Sequence, residues 1–397
     1  MLRCYRSRYR SRYRSRYRSR YRSQELFDKL RARCAGGVTA PENPLFRQFL
    51  SHNRANMDAF KTNRGRVNIR YVAREAGVSP QTVSRVLNNR PDVAAETRQR
   101  IQDVIAQLGY HPSALARGLS SQRTRTLGLI TADFSDYFFT QVIAGAEAEA
   151  RQYGYRFMLG STERNPEEEP EYIRLLTEHH VDGILFARPS TEPDNRYLVN
   201  LLRDGAPVVT TAYHIPGEAL TVIDVDNVDG GLQATRCLLE RGHRRIAMIT
   251  GPGSWKSVHD RTQGYIMALE AAGMAFDPTL VAEADWSFRS GYQAAQELLA
   301  RGPLFSALFA HNDQMAIGAL RALREAGCRM PEDVSVVGYD DIPMAEYCEP
   351  PLTTIRQPMR EVGALATRLL IQAVEKPGAP QQELLLKTEL ILRGSCP

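Results

Sequence analysis

Two periodicities of apolar residues divide the chain. Between Ile69 and Leu108, apolar side chains recur every three or four positions, which predicts three short amphipathic helices. From Thr126 onward, short apolar runs alternate with helix-length segments, which predicts strands alternating with helices. Such alternation favours parallel sheets with helices on both faces, and its length favours two lobes. We therefore expect a multidomain protein, with an all-α headpiece and a two-lobed α/β core.

The first two predicted helices have the features of a helix-turn-helix. Gly77 suits the positive φ of a tight turn, Ser79 is a good N-cap, and Pro80 follows at the first helical position. The apolar face of the second helix consists of Val83, Val86 and Leu87. Its polar face consists of Gln81, Arg85 and Asn88. Because that polar face has no core to fill and carries side chains that can read base edges, it predicts a DNA-recognition helix. The third helix is predicted over residues 94–108.

In the core, eight strands and five helices follow from the pattern. The strands are residues 127–130, 156–159, 183–186, 207–210, 221–223, 245–250, 307–310 and 334–337. The helices are residues 140–153, 230–241, 261–272, 290–301 and 314–326. Polar residues where parallel strands end are ligand candidates, and here they comprise Asp133, Arg261, Asn312, Asp313, Asp340 and Asp341. Charged and amide groups beside aromatic rings suit a polyhydroxylated ligand.

These polar residues also have simpler interpretations. Asn312 and Asp340 could be no more than helix N-caps. We expect Asp341 to be structural, and Arg261 to open the helix that follows its strand.

Composition indicates a globular protein without a membrane span. Hydrophobic residues make up 43% and charged residues 24% of the chain. The six cysteines are scattered and form no metal or disulfide pattern, so we expect reduced thiols and a cytoplasmic location. No apolar run reaches the roughly 18–20 residues that span a bilayer, and no secretory signal follows the basic start.

The amino-terminal stretch differs from everything after it. Residues 1–23 contain ten arginines and no acidic residue, mostly as a Tyr-Arg-Ser-Arg repeat. Without apolar partners this repeat cannot build a core, so residues 1–64 are predicted to be disordered. The stretch could bind nucleic acid non-specifically. We instead expect residues 1–56 to be a spurious or dispensable extension, because Met57 offers a start shortly before the first helix.

Residues 112–125 predict a linker. Pro112 could begin a helix, but about two turns remain before a polar stretch, and Gly118 lies within them. A helix this short is marginal in water. We therefore expect the segment to order only against a partner, which would suit a switch.

Parts of the sequence are also compatible with other functions. The first two helices could form an ordinary α-hairpin, and the core alone would suit a secreted sugar-binding protein of a transporter, although the headpiece opposes this. An enzyme is disfavoured. Residues 251–256 match neither nucleotide-binding glycine motif, His179 and His180 lack metal-ligand spacing, and no hydrolase order occurs. We expect no catalytic residues, no metal and no cofactor.

Several motifs, in one order along the chain, resemble those of the LacI/GalR (lactose/galactose repressor) family. They are residues 72–88, 110–119, 261–264, 312–318, 336–341 and 350–357, within a similarity from Val67 to Ser395. The resemblance implies a homodimeric repressor that binds operator DNA and senses a small molecule in a core like that of periplasmic binding proteins. Its parts would be a headpiece (65–111), a hinge and linker (112–125) and an effector-binding and dimerisation core (126–397).

The resemblance also implies roles for particular residues. The major groove would be read by Pro80, Gln81 and Arg85. Phosphates would be contacted or flanked by Ser79, Thr82, Ser84 and Asn88. Leu119 would enter the minor groove as a wedge. The effector would be bound by Asp133, Phe138, Arg261, Trp286, Asn312, Asp340 and Gln357.

Departures from the family pattern leave the effector open. Tyr71, Ser113 and residues 136–139 replace the usual Asp, Asn and Asn-Pro-Phe-Phe. Residues 285–287 resemble the stretch that places a tryptophan in a galactoside pocket, which favours a sugar or galactoside; a core tryptophan is the alternative. No leucine-heptad tail follows the strand-like residues 384–392, so we expect a dimer on a pseudo-palindromic operator. The sequence permits induction or corepression.

Overall fold

A computed structural model describes residues 67–88, 90–110, 123–187, 196–212, 218–302 and 305–397. It divides into two compact units, up to residue 112 and from residue 113, and each is described by itself. The predictions for residues 1–64 and for most of the linker, Ser113 and Leu119 included, lie outside the described residues.

The first unit consists of the three predicted helices, which the structure confirms. They are α1 (Ile69–Glu75), α2 (Pro80–Leu87) and α3 (Ala95–Leu108). Gly77 follows α1 with φ +66°, and Gly109 ends α3 with φ +57°, so both occupy the left-handed region that favours glycine. The buried core of the unit consists of Val72, Ala73, Ala76, Val83, Val86 and Ile101.

The second unit contains two six-stranded sheets. The first sheet is parallel throughout, in the order β11 (Glu383–Leu386), β5 (Thr221–Val225), β4 (Val208–Thr211), β3 (Ile184–Ala187), β1 (Thr126–Thr131) and β2 (Arg156–Ser161). The second has the order β12 (Glu389–Ile391), β10 (Thr353–Arg356), β9 (Ser335–Asp340), β8 (Ala307–Ala310), β6 (Ile246–Thr250) and β7 (Val281–Glu283). Only β12 runs antiparallel to its neighbour.

Helices cover both faces of each sheet. They are α4 (Tyr137–Gln152), α5 (Glu169–Glu178), α6 (Arg196–Arg203), α7 (Asn227–Glu240), α8 (Lys256–Ala271), α9 (Phe288–Ala300), α10 (Asp313–Glu325), α11 (Met344–Tyr347) and α12 (Met359–Glu375). Alternate strand residues enter opposite cores: Leu129 packs with α4 and α12, whereas Ile130 packs with α5 and α6. We call the first sheet with α4, α5, α6 and α12 lobe 1, and the second sheet with α7–α11 lobe 2.

The chain passes between the lobes three times. It leaves lobe 1 after β5, returns to it between β10 and α12, and leaves it again between β11 and β12. Helix α12 crosses α4 closely, because Gly145 and Gly363 each face backbone of the other helix where a Cβ atom would clash. Arg368 of α12 also donates a 2.7 Å hydrogen bond to the buried Glu149 of α4.

The end of the predicted linker is fixed on lobe 1. The Asp182 carboxylate accepts hydrogen bonds from the backbone N–H groups of Thr124 and Arg125, both at 2.8 Å. The described part of the linker is therefore already ordered by the core.

The eight predicted strands are confirmed, with ends within three residues of those expected. Four of the five core helices are confirmed equally closely. The fifth prediction was wrong at its start, because α8 begins at Lys256 and Arg261 lies in its second turn. Residues 384–392, predicted to be one strand, form β11 and β12, because the chain changes lobe between them. Within the described ranges, no helix has the length and apolar character needed to cross a membrane.

Candidate functional site

Helix α2 presents polar side chains opposite its buried valines. Gln81 and Arg85 lie one turn apart and are exposed. The Arg85 guanidinium makes an ion pair with Asp92 at 3.5 Å, with both side chains at least half exposed. An exposed ion pair of this kind contributes little to stability, typically under about 1 kcal/mol. Arg85 can therefore leave Asp92 for the edge of a guanine at small cost.

The remaining predicted contacts surround the two ends of α2. Ser79 Oγ accepts a hydrogen bond from the Thr82 N–H at 3.1 Å, which confirms the predicted cap. Pro80 follows at the first helical position. Asn88 ends the helix, and its Nδ2 lies 3.4 Å from Ser84 Oγ. Ser79 and Thr82 lie at the amino terminus of α2, whose partial positive charge suits a phosphate, whereas Ser84 and Asn88 lie toward its carboxyl end.

A cavity lies between the lobes, where strands of both sheets end. The empty space between its walls, including solvent at its open mouth, amounts to about 650 Å³. Six predicted effector residues line it: Phe138, Arg261, Trp286, Asn312, Asp340 and Gln357. The other lining residues are Asp136, Phe139, Thr211, Ala212, Ile223, Asp224, Val225, Asn227, Trp255, Ser257 and Val362.

Arg261 provides a fixed positive charge on the wall of lobe 2. Its side chain is only 5% exposed. Nε donates to Asn227 Oδ1 at 2.8 Å, and Nη1 donates to the backbone carbonyl of His311. The guanidinium carbon lies 3.7 Å from the centre of the Tyr339 ring. Two hydrogen bonds and this cation–π contact hold the planar group in one orientation.

Carboxylates from the two lobes face the same cavity. Asp340, of lobe 2, accepts a 2.6 Å hydrogen bond from Gln357 Nε2. Burial raises the pKa of Asp340 to about 7, because the opposing effect of Arg261 only partly offsets it and Asp136 adds to it. Burial also raises the pKa of Asp136, of lobe 1. The Asp340 carboxyl can therefore be protonated or ionised near neutral pH.

Aromatic rings form the apolar part of the wall. The ring centres of Trp255 and Trp286 are 5.1 Å apart, with planes tilted by 51°, and Phe139 lies 6.4 Å from Trp255. These are the only two tryptophans of the chain. A Cβ atom at Gly251 would clash with the Trp286 indole, so this glycine makes room for the ring. Such ring faces can cover the apolar side of a sugar.

Asn312 caps a helix, as the simpler interpretation of the sequence predicted, and it also lines the cavity. Its Oδ1 accepts from the Met315 N–H at 2.8 Å and so caps α10. Its Nδ2 donates to the Trp286 carbonyl at 2.9 Å and supports that residue at φ +76°. Asp340 caps no helix, whereas Asp341 pairs with Arg356 and Arg393 at 2.7 Å.

Asp133 is the one predicted effector residue of the described chain that does not line the cavity. Its carboxylate accepts hydrogen bonds from the Ser135 N–H and hydroxyl at 2.7 Å and from Arg164 Nε at 3.1 Å. Burial alone would raise the pKa of Asp133, but Ser135 and Arg164 lower it below the usual value. Asp136, three residues later, lines the wall instead.

Sequence reasoning missed Asp224, Asn227 and Trp255. Asp224 lies in the last two residues of β5 and Asn227 follows the strand closely, so the rule that polar residues at strand ends bind ligands would have found them. Trp255 lies in a glycine-containing loop that was considered only as a phosphate-binding motif.

Family models match both units. Residues 68–113 match "Bacterial regulatory proteins, lacI family", and residues 235–396 match "Periplasmic binding protein-like domain". The HTH-type transcriptional regulator CelR of Thermobifida fusca is 39% identical, over 84% of this chain and 99% of its own. The HTH-type transcriptional repressor CytR of Escherichia coli K12 is 35% identical, over 82% of this chain and 94% of its own.

Solved structures of transcription regulators are also similar to this chain. The complex of the regulator CelR with cellobiose is 38% identical, with a TM-score of 0.64 over 83% of this chain and 99% of that one. The Lac repressor dimer bound to operator and the anti-inducer ONPF is 30% identical, with a TM-score of 0.76 over 83% of this chain and 99% of that one.

Proposed function

This chain belongs to the LacI family of bacterial regulatory proteins, and from that premise we propose that it is a dimeric transcription regulator whose cavity binds a disaccharide. Family membership makes it a DNA-binding regulator; the class of its ligand is our inference. The observation that carries this inference is the pair of tryptophans beside Arg261 and Asp340 in one cleft.

The cavity wall provides partners for the hydroxyl groups of a sugar and for the apolar face of its ring. Arg261 and Asn227 offer fixed polar groups, and Asp340 can accept hydrogen bonds from hydroxyls. Trp255 and Trp286 contact each other and both line the cavity, so they form one aromatic surface against which sugar rings can pack. The cellobiose complex of the regulator CelR gives independent support for a disaccharide of β-linked glucose. A β-galactoside is the second candidate, since the same groups suit either sugar.

DNA binding is proposed to depend on α2. Pro80, Gln81 and Arg85 would contact base edges, and the groups at the ends of the helix, Ser79, Thr82, Ser84 and Asn88, would position it on phosphates. The family pattern assigns Leu119 the role of a minor-groove wedge. A ligand that prefers one arrangement of the lobes would change operator affinity by about 5–150-fold, the usual range for such coupling.

The test uses the intrinsic fluorescence of the two tryptophans, both of which line the cavity. The full-length dimer is titrated with cellobiose, lactose and maltose, which separates the β-glucose disaccharide from its galactose epimer and from its α-linked isomer. We expect cellobiose to shift the emission and to change the affinity for an operator, measured by fluorescence anisotropy. If none of the three sugars alters either signal, the proposed ligand class is wrong. We propose no catalysis, so the sugar should be recovered unchanged.

A further inference from the structure

Arg164 joins the two lobes beside the cavity. Its Nε and Nη2 donate to Asp133 and Asp136 of lobe 1, both at 3.1 Å. Its Nη1 donates across the cleft to the backbone carbonyl of Asp285 in lobe 2, at 2.9 Å. All three nitrogens of one guanidinium are therefore engaged, and the side chain is only 30% exposed. A planar fork of this kind has a defined direction, which a lysine ammonium lacks.

The backbone around Arg164 is shaped to aim this side chain. Glu163 and Arg164 have φ values of +49° and +65°, in the left-handed region where non-glycine residues are strained. The Arg164 N–H donates to the Ala132 carbonyl at 2.8 Å, which holds the turn against the end of β1. Backbone strain that surrounding contacts maintain is more common at functional sites than elsewhere in proteins.

Both ends of the cross-cleft bond lead to the cavity wall. On the lobe 1 side, Asp136 lines the cavity and caps α4 through the Phe138 N–H at 2.9 Å. On the lobe 2 side, Asp285 directly precedes Trp286. The Arg164 guanidinium also lies 5.7 Å from the centre of the Trp255 ring. Movement of Arg164 would therefore disturb the groups that face a ligand.

Arg164 lies far from the segments that cross between the lobes. It follows β2, the edge of the first sheet farthest from β11, and Asp285 follows β7, the edge of the second sheet farthest from β12. The crossovers after β5, β10 and β11 all lie toward the opposite edges. From β5 to β2 there are four strand spacings, roughly 19 Å. A bond at this distance from the crossovers resists opening of the lobes more than one beside them, such as that between Lys256 and Asp224 at 2.9 Å.

We propose that Arg164 is a positioning residue that keeps the lobes together beside the cavity and thereby slows the escape of the effector. The effect on retention rests on the proposed function, whereas the effect on the lobes does not require a ligand. A charge-assisted hydrogen bond across the cleft shifts the balance between closed and open lobes by about tenfold.

The first test uses the ligand-free dimer. Acrylamide quenching of tryptophan emission is compared in wild type, Arg164→Ala, Arg164→Lys and the control Arg174→Ala, an exposed arginine of α5 paired with Glu171 and Glu178. We expect about twofold stronger quenching in Arg164→Ala, an intermediate value in Arg164→Lys, and no change in the control. Circular dichroism verifies folding, and the lysine variant stands in if the alanine variant is unfolded. Quenching equal to wild type in a folded Arg164 variant would overturn the proposal.

The second test measures retention with cellobiose as the probe. Stopped-flow fluorescence should show about tenfold faster dissociation from Arg164→Ala, with operator affinity in the absence of sugar changed less. An unchanged dissociation rate would contradict the role in retention. If wild type binds no cellobiose, the proposed ligand class fails, and the quenching test still decides whether Arg164 joins the lobes.

Discussion

Replacement of Asp340 by asparagine tests the electrostatics of the cavity. The asparagine keeps the shape of the side chain and an oxygen that can accept from Gln357 Nε2, but it removes the charge. In the folded protein the pKa of Asp340 is raised from 3.8 to about 7. Three pKa units correspond to about 4 kcal/mol, at 1.36 kcal/mol per unit. This is an upper limit for the amount by which the ionised, buried carboxylate lowers the free energy of unfolding.

The sign follows from proton binding. Because the folded pKa is the higher one, the native state holds this proton more tightly than the unfolded chain. As the pH rises from about 4 to 7, the unfolded chain ionises first and the wild-type protein loses stability relative to Asp340→Asn. Above pH 7 both states are ionised and the difference stays constant. Asp340→Asn should therefore equal wild type near pH 4 and exceed it in stability at pH 8.

Unfolding by urea at pH 5, 6, 7 and 8 measures this difference, which should grow by about 1.4 kcal/mol per pH unit until pH 7. Asp277→Asn is the control. Hydrogen bonds from Thr279 lower the pKa of Asp277, so that residue is ionised throughout and its variant should show no such slope. A difference between Asp340→Asn and wild type that is flat from pH 5 to 8 would refute the reasoning. Sugar hydroxyls donate to an ionised carboxylate, so cellobiose affinity should also rise about tenfold from pH 6 to 8 in wild type only.

Three further substitutions test the DNA-reading helix and the cavity wall. Arg85→Ala should cost about 1–3 kcal/mol of operator binding and relax specificity at one base pair; anisotropy measured on operators with single-base changes would instead show a uniform loss if Arg85 touches only phosphate. Arg261→Ala should leave operator affinity nearly intact and abolish the response to sugar, so a normal response in the same assay removes Arg261 from the site. Gly251→Ala places a Cβ against the Trp286 indole, which should cost about 1–3 kcal/mol of stability and shift tryptophan emission; unchanged emission would contradict the packing described.

Local patterns were sufficient for much of the fold. In α2, the spacing of Val83 and Val86 determines which face is buried, and the turn at Gly77 is set by a single residue. Apolar runs such as residues 307–310 are buried on both faces, and their short length between polar boundaries favours strands over helices. The rule that polar residues at strand ends bind ligands then predicted that Arg261, Asn312 and Asp340 lie near one another. It does not predict the distances between their side chains.

Contacts between distant residues could not be predicted in this way. Asp133 follows its strand as a ligand-binding residue would, but Arg164, from the turn after the next strand, pairs with its carboxylate. Trp255 joins the wall only because α8 begins at Lys256, five residues earlier than its apolar pattern suggested. The return of α12 to lobe 1 depends on two glycines, Gly145 and Gly363, that lie far apart in the chain and meet at one helix crossing.

The three passages between the lobes also determine the order in which the protein can be completed during synthesis. Residues 227–356 build almost all of lobe 2 before α12 and β11 exist. Until they leave the ribosome, the apolar surface of lobe 1 that includes Val209 and Ile223 has no cover from α12. A nascent chain that stops anywhere in that interval carries a first lobe without its closing helix, and is a natural client for chaperones and proteases.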